Sequence, residues 1–167
     1  MSAVVLAAAL LVAPASSDPA ASAAVIPAQS TYVTPPAPTA SPSDPAQRGY
    51  RPSAYTGRKY RASQEPLRRC IGQREGRFFY GGTGSNGYYE STYQMTDALV
   101  RGAAWMMRPE LIDQFGRREG VRVFRVLLRT PGHLWSRYYM DAAFYTVLNA
   151  HGELSGRSHW AGGRYAC

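Results

Sequence analysis

Cys70-Ile71-Gly72-Gln73-Arg74-Glu75-Gly76 is the stretch on which the reading of this chain turns. Leu67, Cys70 and Ile71 recur at i, i+3 and i+4, the spacing of a helix with one apolar side. Ser63 stands where a capping side chain is useful, Pro66 suits an opening turn, and Gly76 can stop the helix. A short helix ending on a glutamate is therefore expected. Residues 77–93 then carry Phe78-Phe79-Tyr80, a glycine-rich run over 81–87 and Tyr88-Tyr89, the composition of a small hairpin or an irregular loop.

Three further helices follow from periodicity. One is expected over 91–107, with Tyr93 or Met95, Leu99, Ala103 and Met106 inward and Pro109 as its end. A second covers 117–129, with Val121, Phe124, Val126, Leu127 and Leu128 apolar. The last, capped by Ser136, has the most regular stripe: Tyr139, Met140, Ala143, Phe144, Val147 and Leu148. The fold class is mainly α, in the α+β sense. A small helical domain over 64–167 carries a short aromatic, glycine-rich hairpin or loop.

Outward from the helices the composition changes. Residues 1–47 contain Asp18 and Asp44 but no Lys or Arg, and are rich in Ala, Pro, Ser and Thr. Residues 3–12 are apolar over about ten positions, too few to span a bilayer, and Ala21-Ser22-Ala23 fits a cleavage site, so 1–23 reads as a signal peptide. Residues 24–63 read as a disordered linker, Pro/Ala-rich and then basic. Over 48–64 that basic part interleaves Tyr50, Tyr55 and Tyr60 with arginines. In an exported protein of net charge +8, cell-wall associated on this reading, it suits anionic cell-wall polymers or a lipid surface rather than nucleic acid, or is simply a solvated tether.

The two cysteines, Cys70 and Cys167, bracket the expected domain, and an exported chain would pair them. Closing so long a loop is worth up to about 4.7 kcal/mol in the chain-entropy picture. Glu75 sits where helix-end carbonyls disfavour a carboxylate, and residues 78–80 add desolvation in the same sense. Both favour a proton donor working near neutral pH, whereas Arg74 and Arg77 oppose it if they point at the carboxyl. His133, His151 and His159 lack metal-ligand spacing, so neither a metal nor a cofactor is expected. No Lys-Ser/Thr follows the glycine run, which excludes a phosphate-binding loop of the Walker type.

The pattern Cys70-x-x-x-Arg74-Glu75-Gly76, followed by Asn86-Gly87-Tyr88-Tyr89 and Tyr93-Gln94-Met95, resembles the lysozyme-like domains of actinobacterial resuscitation-promoting factors and their secreted transglycosylase-like relatives. His159-Trp160 and the tail Gly163-Arg164-Tyr165-Ala166-Cys167 resemble that family's closing element, so the likeness spans roughly 64–167. It implies a lysozyme-like fold that cleaves the β-1,4 bond between N-acetylmuramic acid and N-acetylglucosamine in peptidoglycan. Glu75 matches the family's catalytic acid, Gln94 its groove glutamine, and Cys70 with Cys167 its disulfide. Gly76-Arg77-Phe78 and Glu90-Ser91-Thr92 depart from the family pattern.

Tyr80, Tyr88, Tyr89 and Tyr93 are candidates to stack on sugars or to cover the core, and Trp160 to edge the groove. A second carboxylate about 5–9.5 Å from the acid would complete a two-carboxyl site. Glu90 is the candidate, with Asp97 expected in solvent. Transglycosylases of similar fold work with one carboxyl instead. Two classes stay open: a monomeric wall-cleaving enzyme, or a wall-binding or signalling module that has lost turnover.

Overall fold

The computed structural model describes residues 33–161 and Cys167; the expected signal peptide and tail residues 163–166 lie outside the described residues. The chain is mostly helical with one small sheet. Helix α1 (Glu65–Gly76) starts from Gln64 without a side-chain cap, so Ser63 does not serve. It ends on Arg77 in the left-handed conformation rather than on Gly76, and the Arg77 N–H donates to the Gly72 carbonyl. Gly76 has a different use. A Cβ there would lie 2.5 Å from Thr92 Cα and 2.6 Å from its carbonyl oxygen, so only glycine lets the loop before Gln94 lie against the helix end.

The glycine-rich run forms β1 (Thr83–Gly84), which pairs antiparallel with β2 (Tyr89–Glu90), and β2 pairs with β3 (Met95–Thr96). β3 occupies the residues expected to open a helix. Ser91 and Gln94 have positive φ (62° and 47°), which excludes a helix from 91. Helix α2 (Asp97–Arg129) begins instead at the Thr96 cap, whose hydroxyl accepts from the Leu99 N–H at 3.3 Å.

Pro109 does not end α2; the break falls at Gly116, whose φ of 76° and ψ of 159° are open to glycine. The chain then doubles back. Trp105 and Phe124 rings meet at 4.7 Å, and a Cβ on Gly120 would stand 2.5 Å from the Leu111 carbonyl oxygen. α2 is thus a helical hairpin of two arms. Helix α3 (Arg137–Leu148) carries the expected stripe, with Tyr139, Met140, Ala143, Phe144 and Leu148 wholly buried and Val147 nearly so. Ser136 precedes it without a side-chain capping bond.

α3 is buried on its other sides too, because residues 33–63 are no linker. They strap across it. Tyr139 Oη donates to the Pro36 carbonyl, Ser136 N–H to Pro38 and Ala40 N–H to Leu134, while Thr39 bridges to Trp135. Farther on, Arg48 bridges to Phe79, and the Ala54 N–H donates to Asp141 at 2.9 Å. Tyr55 is 2% exposed and its hydroxyl donates to Glu110 at 2.8 Å. Proline and tyrosine-rich chain folds here because its carbonyls and rings meet partners on the helices; residues Thr31–Cys167 form one unit.

Several basic side chains of the strap also have partners within the fold. Arg48 stacks on Phe79 at 3.9 Å, Arg58 pairs with Asp113, and Lys59 Nζ donates to the Asn149 carbonyl. Below the strap lies a buried polar cluster. Asp141, fully buried, accepts from Tyr80 and Tyr93 hydroxyls at 2.6 Å each, and Arg68 lies 3.3 Å away. Arg68 also donates to both carboxylate oxygens of Glu65, and Glu65 Oε2 accepts from Tyr145 Oη as well, at 2.7 Å. Burial opposes ionisation of Glu65, yet bonds from Arg68 and Tyr145 hold its carboxyl below the usual range. Cys70 and Cys167, with Cα atoms 5.8 Å apart, form a disulfide that ties the end of the described chain to α1.

Candidate active site

Glu75 lies at the last turn of α1, where Gly76 admits the 91–94 loop alongside. Glu75, Gln94, Tyr89, Trp160, Ser85 and His159 line one open groove of about 380 Å³. Each wall has its own support. Gln94 is held in left-handed backbone geometry, and its Nε2 donates to the Ser91 carbonyl at 2.7 Å. Tyr89 comes from the centre of the sheet and is 37% exposed. Trp160, 5% exposed, donates its Nε1–H to the Tyr93 carbonyl at 2.8 Å and packs on Phe144 at 4.9 Å.

The carboxyl of Glu75 is partly open, with a side-chain exposure of 26%. Arg74 Nε and Nη2 both donate to Glu75 Oε1, at 2.8 and 2.6 Å, and Nη2 also reaches the Trp160 carbonyl. Oε2 accepts from no described residue. Arg74 therefore fixes the acid's rotamer while joining it to the opposite wall.

Four expected site residues do not enter the groove. Tyr80 and Tyr93 are fully buried on Asp141, and burial pushes both phenols well above their ordinary range. They cover the core and cannot stack on a sugar. Tyr88 is 63% exposed but braces Tyr89 edge-to-face at 4.9 Å without lining the groove. Glu90 follows Tyr89 on β2, and successive strand residues point to opposite faces, so it turns inward. It is 6% exposed and accepts from the His133 backbone N–H at 2.9 Å. Among the described residues no second carboxylate lines the groove with Glu75. Asp97 is in solvent, paired with Arg101 at 2.7 Å.

Ser85 and His159 are groove residues that sequence reasoning did not name as site residues, although His159 stands beside Trp160 in the closing element. Two other concavities are larger, about 440 and 510 Å³. The 510 Å³ one includes Glu65, whose carboxylate Arg68 and Tyr145 already occupy. Among the described residues no three His, Cys, Asp or Glu side chains come together to hold a metal, and no helix is long and apolar enough to cross a membrane. The chain matches no family model, no curated protein and no solved structure.

Proposed function

We propose that this domain cleaves the glycan strands of peptidoglycan, at the bond between N-acetylmuramic acid and N-acetylglucosamine, as a secreted lysozyme-like transglycosylase or muramidase. The observation that carries the reading is the meeting of Glu75 with Gln94, Tyr89 and Trp160 in one open polar groove. These are a proton donor, an amide and two flat rings, the equipment for holding and cutting a polysaccharide. The disulfide fits an oxidising compartment outside the cell.

Glu75 Oε2 protonates the bridging oxygen as the glycosidic bond breaks. With Glu90 turned away, the same carboxylate then takes the proton from the sugar's own 6-hydroxyl as that oxygen closes on the anomeric carbon. The product of this single-carboxyl route is a 1,6-anhydro sugar. A water attacking instead gives the hydrated product.

One observation favours the alternative, a wall-binding module without turnover: Arg74 holds the acid in an ion pair. Digestion of purified walls separates the readings. Wild type is expected to release soluble anhydro-muropeptides, identified by mass spectrometry, and Glu75→Gln to release none with its melting temperature kept. Release of no fragments by the folded wild type rejects the enzymatic reading.

A further inference from the structure

The second arm of α2, residues 117–129, carries a cationic stripe that the fold leaves without internal use. Arg118, Arg122, Arg125 and Arg129 stand at i, i+4, i+7 and i+11, so they emerge along one face over a rise of about 16 Å. The opposite face, with Gly120, Val123 and Leu127, is buried. All four arginines are exposed. Arg118, Arg125 and Arg129 pair with no described residue, and Arg122 has only an exposed contact to Glu119 at 2.6 Å. With Glu119, Val121 and Val126 between them, they line an open trough of about 440 Å³.

Like charges one helical turn apart repel, and Glu119, paired with Arg122 alone, does not offset the repulsion among the other three. A ligand would. The geometry points to a binding site for a linear phosphodiester polymer with an uncharged polyol backbone. Guanidinium groups match phosphate oxygens in a two-pronged way, and a file of four favours an extended chain of repeated charge over a single anion. Among the described residues no aromatic ring lines the trough, so nucleic-acid bases find no stacking surface there. A bilayer is disfavoured because the exposed Trp105 lies on Phe124, roughly 160° round the helix from Arg122. No lining residue is shared with the groove at Glu75, so the site stands whether or not that groove is catalytic.

The test uses the full oxidised chain and labelled poly(glycerol phosphate) of defined length, followed by fluorescence anisotropy at several salt concentrations. Taking the single-stranded nucleic-acid coefficient as an upper bound, four phosphate contacts give a log–log salt slope no steeper than about −2.8, or up to roughly 50-fold weakening between 50 and 200 mM salt. Replacing Arg118, Arg122, Arg125 and Arg129 with Gln should abolish this binding while the melting temperature stays within a few degrees. Replacing Arg58, Arg61, Arg69 and Arg101 with Gln removes the same charge elsewhere and should leave most of the affinity. Equal losses in the two variants would reduce the effect to net charge and overturn the proposal. So would tighter binding to a single-stranded oligonucleotide, or to vesicles of phosphatidylglycerol and phosphatidylcholine, than to poly(glycerol phosphate). Unchanged binding by the stripe variant overturns it as well.

Discussion

Asp141→Asn tests whether the buried cluster beneath the strap organises the domain. Asp141 is wholly buried and accepts from Tyr80 and Tyr93 at 2.6 Å each and from the Ala54 N–H at 2.9 Å. Hydrogen bonds to a charged group are worth about 1.5–3 kcal/mol against about 0.5–1.5 for neutral partners. Three bonds that lose their charge thus cost about 3 kcal/mol together. Arg68, also wholly buried, keeps Glu65, so the larger penalty of an abandoned buried cation is not added in full. For a domain of this size about 3 kcal/mol lowers the melting temperature by roughly 10–15 °C. Urea titration and calorimetry of the oxidised protein measure both quantities. Asp113→Asn, on the exposed Arg58 pair, is the control and should cost under about 0.5 kcal/mol. If Asp141→Asn loses no more than Asp113→Asn, the cluster does not hold α1, the strap and α3 together.

Tyr80 and Tyr93 have raised folded-state pKa values, from burial first and the Asp141 charge second. Their stabilising contribution is therefore complete below the unfolded phenol value of about 10 and declines as pH rises above it. Phenolate absorbance should show a fraction of the 12 tyrosines ionising only as near-ultraviolet circular dichroism collapses. Reducing the disulfide, or Cys70→Ser with Cys167→Ser, should cost up to about 4.7 kcal/mol in a denaturant titration, because the bridge spans 97 positions. A chain starting at Gln64 should be unfolded or aggregated by circular dichroism, since Tyr55 and the backbone of residues 36–54 cover α3. A cooperative melt equal to that of the longer chain would restore the linker reading.

The helix carrying Glu75 and the α3 stripe were legible because their apolar residues keep helical spacing. Of the residues that meet in the groove, Glu75, Tyr89, Gln94 and Trp160 were legible from short motifs, whereas Ser85 and His159 were not named. The strap was not, because its partners are backbone carbonyls and N–H groups, such as Pro36, Pro38 and Ala54, which composition does not reveal. Arg68 reads as one more surface arginine until Asp141, 73 positions away, is seen beside it. The fate of Glu90 hung on parity. In a strand of two residues a register shift of one exchanges the groove face with the core face, and only the observed pairing of Glu90 with Met95 decides it. Pro109 misled for a related reason: a helix survives one missing N–H, whereas the reversal needed the backbone freedom of Gly116.

The contact between Gly76 and Thr92 couples two properties that usually vary separately. Any side chain at position 76, even a methyl, wedges the amide-bearing wall away from the acid. Groove width is consequently set by a single hydrogen atom, and a change of fit for bulkier ligands has to come from the tyrosine or tryptophan walls.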